Sequence, residues 1–304
     1  MTSARQTGNT MPTPARPIRP RELQDALNYY IYHPLAWQLA RLLAKTPITP
    51  NAVSVMGAGF VIAAAAAYAL PGWPGPALLG MVLHMTWHVV DGADGDLARM
   101  TGRSSPIGEM VDGLCDYSSH VVLYLTLGYL LSRGMGPAGT DGWAAWGWMW
   151  AAAIGHIVQA NHVEVQRRQY QWWVYGTSWL RLSHNADSAT GKSIFGWIVS
   201  FYLALATGMT PYAVKIDNAV DAAAGDPARL AEIRAAARAE AGPLLRLLKV
   251  LGPNPRAIVL GLSMLAGSPF WYFLYQAILL NVLLVGSVLA HNAAAKRIAV
   301  RITG

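Results

Sequence analysis

Long apolar stretches dominate the middle of the chain and predict membrane-spanning helices. No Asp, Glu, Lys or Arg occurs between Thr46 and Val90. A helix needs about 20 predominantly apolar residues to cross a bilayer, so this stretch is long enough for two spans. The whole chain predicts spans at about 52–70, 76–98, 107–131, 144–163, 194–210 and 270–290. The predicted fold is therefore all-α, a polytopic membrane helix bundle of about six transmembrane helices.

The N-terminal part differs from the spans in composition. Residues 1–20 are rich in Pro, Arg and Thr and are predicted to be a disordered tail. Residues 21–45 mix apolar and polar positions, which predicts an interfacial amphipathic helix, broken near Pro34. An ordinary helix docked on the protein fits the same pattern.

The remaining boundaries follow the changes in hydropathy. Residues 46–210 would form a membrane core with spans one to five, and 211–256 an amphipathic helical insert for which a solvated helix is the alternative. Residues 257–304 hold the final membrane segment or segments and a basic tail. Within them, 257–267 is apolar but short for a crossing, so it is either re-entrant or half of a broken helix.

Composition and charge narrow the class of protein. Hydrophobic residues make up 54% and charged residues 13% of the 304 residues, whereas soluble domains are about 25% charged. A disordered protein is excluded and a soluble enzyme is not expected. The single cysteine, Cys115, excludes an internal disulfide framework and a Cys-based zinc site. The net charge of +7 suits anionic partners such as lipid headgroups or nucleotide phosphates, and is too diffuse to indicate nucleic acid.

The basic loops predict an orientation. Arg99 and Arg103 lie between spans two and three, and Arg167 and Arg168 follow span four. The positive-inside rule therefore places these loops and the N-terminus in the cytoplasm. The insert carries seven basic residues and would face outward in a six-span topology, which conflicts with the rule.

Four aspartates gather where span two ends and span three begins. Asp91 and Asp94 are three residues apart, and Asp112 and Asp116 are four apart, so each pair shares one face of its helix. The short connection predicts antiparallel neighbouring helices whose two faces converge. The nearby Asp96 and Glu109 are expected to be solvated loop acids.

Carboxylates at membrane depth are costly unless something compensates their charge. Several hard oxygen ligands suit Mg²⁺, Mn²⁺ or Ca²⁺ and do not suit zinc. Because Mg²⁺ completes its shell with substrate phosphates, the cluster indicates phosphoryl or phosphoalcohol transfer on a diphosphate substrate. Helix-capping aspartates in a polar loop are the alternative, but caps do not explain Asp112 and Asp116 inside an apolar stretch.

The spacing of this region resembles the signature of the CDP-alcohol phosphotransferase family, D-x2-D-G-x2-A-R-x8-G-x3-D-x3-D. Every fixed position is filled, by Asp91, Asp94, Gly95, Ala98, Arg99, Gly108, Asp112 and Asp116. Thr49, Pro50 and Asn51 resemble a weaker family feature that opens the first span. The resemblance covers about 21–210 and the last span, and the insert departs from the family's compact pattern.

The resemblance implies a mechanism and residue roles. Asp91, Asp94, Asp112 and Asp116 would bind one or two Mg²⁺ or Mn²⁺ ions, and Asp116 would also be the general base. The predicted CDP-binding residues are Gly95, Ala98, Arg99, Gly108 and Asn51. The donor would be CDP-diacylglycerol or a CDP-linked alcohol, and CMP would leave as a hydroxyl acceptor attacks. The resemblance also implies a homodimer among membrane lipids, and we expect an integral protein of the bacterial inner membrane with its active site facing the cytoplasm.

The sequence resembles two subgroups of the family, and these use different acceptors. The segment before span one resembles the branch that makes inositol-phosphate products, which favours a phosphorylated polyol such as inositol phosphate or glycerol phosphate. Arg167, Arg168 and Lys192 are then the basic candidates for the acceptor phosphate. The residues SSPIGE also resemble aminoalcohol phosphotransferases, which use CDP-choline or CDP-ethanolamine with a lipid acceptor.

Two other classes of function remain. A cation transporter would use the aspartates as an ion path, but the acids gather at one mouth and do not continue through other spans. A non-catalytic lipid- or nucleotide-binding relative is the other alternative, and the complete set of aspartates argues against it. His84, His88 and His120 flank the aspartates and receive no predicted role.

Overall fold

A computed structural model describes residues 19–177 and 211–303 of the chain. Within these ranges the chain forms helices and turns, without a strand, as the sequence predicts. The first part contains α1 (His33–Leu43), α2 (Pro50–Ala69), α3 (Gly75–Thr101), α4 (Pro106–Ser132) and α5 (Gly142–Tyr175). Span five, predicted at 194–210, and the tail at 1–18 lie outside the described residues.

The second part is a series of shorter helices followed by a long one. It contains α6 (Ala213–Ala222), α7 (Pro227–Ala241), α8 (Leu245–Val250) and α9 (Pro253–Leu265), then α10 (Phe270–Leu274) and α11 (Leu280–Thr303). A π-helical segment, Tyr275–Leu279, joins α10 to α11 without a break.

Two of the described helices are long and apolar enough to cross a membrane, α2 and the continuous Phe270–Ile302 helix. Helices α3, α4 and α5 have 27, 27 and 34 residues, which at 1.5 Å per residue exceeds the thickness of a hydrocarbon core. Helix α9 has 13 residues, about 20 Å, and so is shorter than a full crossing. The number of six spans stays a prediction.

The N-terminal helix differs from the predicted break at Pro34. The helical path is continuous through Pro34, and a π-helical segment, Asn28–Tyr32, directly precedes it. Proline lacks the N–H that would bond the carbonyl four residues back, and a wider turn accommodates this missing bond. Ala36 and Ala40 are fully buried against the bundle, while Leu35 and Leu42 are exposed. The helix is docked on the protein by its alanine face, with Leu39 and Leu43 packed beside it, and presents Leu35 and Leu42 outward.

Small residues let α2 pack closely against two partners. Its sequence holds a run of alanines, and a side chain at Gly57 would lie 3.5 Å from the Trp87 ring of α3. Helices α3 and α4 pack chiefly against α2 and only slightly against each other. Their side chains, among them Trp87 and Asp116, meet across the space between the two backbones, so the two helix faces converge as the sequence predicts.

The insert packs at one end of the bundle. Helices α4 and α5 run antiparallel, because Tyr124 meets His156 and Gly128 faces Met149. The C-terminal end of α5 thus lies at the same end as the α3–α4 loop. A hydrophobic core joins that end of α5 to α6, α7 and the C-terminal part of α11. The insert therefore lies at the same end of the bundle as the α3–α4 loop, and the side of the membrane that this end faces stays a prediction.

Candidate active site

The capped α3–α4 hairpin brings the four aspartates together. Gly102 ends α3 with a φ of +64°, and the Ser105 hydroxyl accepts a hydrogen bond from the Gly108 N–H at 3.0 Å to start α4. One oxygen each of Asp91, Asp112 and Asp116 lies within 4.8 Å of the others. We call these three residues and Asp94 the carboxylate cluster.

Asp94 lies beside the other three carboxylates and has its own partner. It is buried next to Asp112, and the Ser54 hydroxyl of α2 donates a hydrogen bond of 2.5 Å to its Oδ2. The structure thus groups three of the four predicted metal ligands most closely. The fourth faces the same space from a position fixed by α2.

Asp116 is oriented from α3. The Trp87 indole N–H donates a hydrogen bond of 3.1 Å to Asp116 Oδ1. Trp87 lies one helical turn before Asp91, so one face of α3 supplies both a carboxylate and the donor that orients a carboxylate of α4.

The cluster has the composition of a divalent-cation site. Every donor is a carboxylate oxygen, the ligand type that Mg²⁺ and Mn²⁺ prefer. Within 19–177 and 211–303, no ion pair neutralises any of the four carboxylates. Four acids held close together without a basic partner fit a bound cation, which would offset their mutual repulsion.

Asp96 is not the solvated acid that was expected. Its side chain is 2% exposed and forms ion pairs with Arg99 and, at 2.9 Å, with Arg19 of the N-terminal segment. Asp96 points away from the cluster because a buried carboxylate needs basic partners, and Arg19 and Arg99 supply them. Glu109 is exposed, as expected.

A polar cleft opens on one side of the cluster, with about 490 Å³ of empty space. Asp94 and Asp112 line it. So do all five predicted CDP-binding residues, namely Asn51, Gly95, Ala98, Arg99 and Gly108. A Cβ at Gly108 would lie 3.5 Å from Asn51 Oδ1, and one at Gly95 would lie 3.4 Å from the Arg99 guanidinium. Larger side chains at either glycine would therefore fill the cleft.

An apolar pocket opens on the other side, with about 1170 Å³ of empty space. It lies between α3, α4, α5, α9 and α10, and most of its lining is aliphatic or aromatic. Asp116 is the one member of the carboxylate cluster that lines it. The cluster thus lies between a polar cleft and a larger apolar pocket.

The predicted acceptor-phosphate residues lie elsewhere. Arg167 and Arg168 both pair with Glu164 on the same face of α5, and neither lines the cleft or the pocket. Burial alone would raise the pKa of Glu164, but the two arginine charges outweigh burial and lower it. Lys192 lies outside the described residues.

Sequence reasoning missed four residues that the structure adds to the site. Ser54 and Trp87 hold two of the aspartates, and His84 and Arg256 line the apolar pocket. Trp87 and His84 lie four and seven residues before Asp91, so helical spacing could have found them. Nothing in the sequence links Arg256, which lies 140 residues after Asp116, to the site.

Residues 47–173 match the family model described as CDP-alcohol phosphatidyltransferase. The match includes α2, α3, α4 and nearly all of α5, and therefore the whole carboxylate cluster and the polar cleft. These residues form a CDP-alcohol phosphatidyltransferase domain, and the family that this domain defines is a family of phosphotransferase enzymes. No curated protein matches the chain.

Proposed function

We propose that the chain transfers a phosphoalcohol group from a CDP-linked donor, bound in the polar cleft, to the hydroxyl of a lipid bound in the apolar pocket, with release of CMP. The observation that carries this proposal is the position of the carboxylate cluster between the two cavities. A group transfer between a polar nucleotide and an apolar alcohol requires both to reach the same atoms.

The carboxylate cluster would hold the metal. Asp91, Asp112 and Asp116 have the closest set of oxygens, and Asp94 adjoins them from the cleft side. A bound Mg²⁺ or Mn²⁺ would withdraw charge from the donor diphosphate and so favour departure of CMP. Ser54 keeps Asp94 directed at this place by its hydrogen bond.

The polar cleft would bind the donor. Arg99 and Arg103 line it and offer positive charge to the diphosphate, while Gly95 and Gly108 leave room for the nucleotide. Asn51, at the start of α2, offers an amide for hydrogen bonds to the nucleotide.

Asp116 would be the general base. It accepts the proton of the acceptor hydroxyl while the hydroxyl oxygen forms a bond to the phosphorus distal to the cytidine. The bond from that phosphorus to the CMP oxygen breaks, and CMP leaves with its electron pair. The Trp87 hydrogen bond on Oδ1 fixes the rotamer of Asp116, which leaves Oδ2 to receive the proton.

The choice of a lipid alcohol rests on which cavity the base faces. Asp116 lines the apolar pocket and is absent from the lining of the polar cleft, so the hydroxyl that it serves comes from the apolar side. Pairing of Arg167 and Arg168 with Glu164 removes support from the phosphorylated-polyol acceptor. The inner-membrane location, the cytoplasmic active site and the homodimer stay predictions.

The test is CMP release by the purified protein in detergent with Mg²⁺ or Mn²⁺. CDP-choline, CDP-ethanolamine and CDP-inositol are offered with dioleoylglycerol, and CDP-diacylglycerol with glycerol phosphate or inositol phosphate. We expect release to require a lipid alcohol, and Asp116→Asn to lower it at least about a hundredfold, the usual scale for a general base. EDTA should abolish the activity.

Asp141→Asn is the matched control, because Asp141 is an exposed aspartate just before α5 and lies outside both cavities. This variant should keep full activity. Release of CMP only from CDP-diacylglycerol with a soluble acceptor would contradict the lipid acceptor. Full activity of Asp116→Asn would contradict the role of the base.

A further inference from the structure

Arg256 is a buried cation in the wall of the apolar pocket. Its side chain is 4% exposed, and its guanidinium has one hydrogen bond, from Nη2 to Gln159 Oε1 at 3.3 Å. Within the part of the chain that the structure describes, its Nε–H has no hydrogen-bond partner. Among the described residues no carboxylate forms an ion pair with it. A charge buried without a counter-ion is strongly unfavourable, which indicates that something else supplies the anion.

The surroundings of Arg256 are polar but uncharged. Arg256 lines the same pocket as His120, His156, Tyr124 and Tyr272. His84, in the same pocket, is buried, and neither of its ring nitrogens has a hydrogen-bond partner among residues 19–177 and 211–303. These side chains offer donors and acceptors to a ligand, but none of them offers a negative charge.

The polar side chains around Arg256 lie in the same pocket as Asp116, the proposed general base. Asp116, His120 and Tyr124 follow one another at intervals of four residues along α4 and line the same pocket. These three side chains therefore share one face of α4, and their Cα atoms are spaced about 6 Å apart along the helix axis. Arg256 and Asp116 line the same pocket, so one ligand in that pocket can reach both side chains.

We propose that Arg256 binds an anionic group, a phosphate or carboxylate, of the lipid whose hydroxyl reaches Asp116. This inference rests on the proposed function and specifies its acceptor as an anionic lipid alcohol. The apolar pocket takes the chains, Asp116 takes the hydroxyl, and the charge of Arg256 selects lipids with a negative headgroup. Arg256 lies in α9, outside the residues that match the family, so this chain adds the selection to the shared catalytic domain.

The test measures lipid binding and is independent of catalysis. Native mass spectrometry of the detergent-purified full chain would compare dioleoylphosphatidic acid with dioleoylglycerol. The first carries a phosphate ester where the second carries its free hydroxyl, so the pair measures recognition of the anion separately from the acceptor hydroxyl. We expect a preference for phosphatidic acid of roughly tenfold, the scale of one charge-assisted hydrogen bond. Glycerol 3-phosphate, offered as a competitor, should not displace the lipid.

Two variants remove the preference in different ways. Arg256→Gln removes the cation. Gln159→Glu keeps the arginine and gives it a carboxylate partner inside the protein, because Gln159 Oε1 already accepts its hydrogen bond. Both should reduce the preference to near one. Arg256→Lys keeps the charge and should keep the preference, and Arg246→Gln, at an exposed arginine of α8, is the matched control.

Each outcome bears on one proposal. Equal binding of the two lipids, or an unchanged preference in folded Arg256→Gln, would overturn the inference. Displacement of the lipid by glycerol 3-phosphate would overturn the assignment of the anion to a lipid. If Arg256→Gln does not fold, the behaviour of Gln159→Glu decides. Selective binding without CMP release from any donor would count against the proposed function alone.

Discussion

Ser54 illustrates how much of the site depends on side chains that carry no charge. Both Ser54 and Asp94 are buried, and the hydrogen bond between them joins α2 to the carboxylate cluster. Hydrogen bonds to charged groups contribute about 1.5–3 kcal/mol, more than neutral ones. Without the hydroxyl, Asp94 would be free to turn away from the cleft.

Ser54→Ala is therefore expected to raise the KM for the CDP donor by about tenfold with a smaller effect on kcat, because Ser54 positions a cleft residue and does not touch the reacting atoms. Steady-state CMP release measures both constants. Ser118→Ala is the matched control, since the exposed Ser118 hydroxyl bonds the Cys115 carbonyl one turn away in α4. An equal fall in kcat with unchanged KM would contradict the positioning role.

At this scale the sequence predicts charged residues well and their partners poorly. The aspartates share helix faces at spacings of three and four, so local geometry alone brings each pair together. Ser54, Trp87 and Arg256 depend on which helices become neighbours. That information lies in packing between distant segments, and no spacing in the sequence contains it.

At the scale of helices, α2 organises the site. Its alanines and glycines let α3 and α4 approach it closely, and the two helices that carry the aspartates stay apart from each other. The short connection between spans two and three predicts the hairpin but not this separation, since a short loop is compatible with tight or open packing. The open arrangement leaves space for two cavities around one cluster.

The insert is also part of the packed structure. Its helices bury apolar side chains in a shared core, which a solvated helix would not do. Ile233 of α7 is fully buried among residues of α5, α6 and α11. Ile233→Ala should lower the free energy of unfolding by about 2–4 kcal/mol, since it removes buried methylenes and leaves a cavity. The thermal unfolding midpoint in detergent measures the change.

Ile278→Ala provides the control for this measurement, because Ile278 is 52% exposed in the π-helical segment. It should change the midpoint much less than Ile233→Ala. Equal midpoints of the wild type and Ile233→Ala would mean that α7 does not contribute to the folded core.

At the scale of the whole molecule, the position of the insert decides the topology. The sequence gives two conflicting indications of the side of the membrane on which the insert lies. With six spans, successive loops lie on alternate sides and the insert would face outward, whereas its basic residues favour the cytoplasmic side. The packing of α6 and α7 on the C-terminal ends of α5 and α11 places the insert at the same end of the bundle as the α3–α4 loop, so we expect both on one side of the membrane. Helix α9 has 13 residues and is too short to cross a membrane. It precedes the continuous Phe270–Ile302 helix, which is long enough to do so.

Cysteine labelling in sealed membrane vesicles tests this arrangement, since Cys115 is the only native thiol and Cys115→Ala gives a background without one. Ser104→Cys, in the α3–α4 loop, and Ala224→Cys, in the insert, are both exposed positions. They should react with a membrane-impermeant maleimide from the same side. Ala138→Cys, in the exposed α4–α5 loop, should react only from the opposite side. Labelling of Ala224→Cys together with Ala138→Cys would place the insert across the membrane from the active site and contradict the fold.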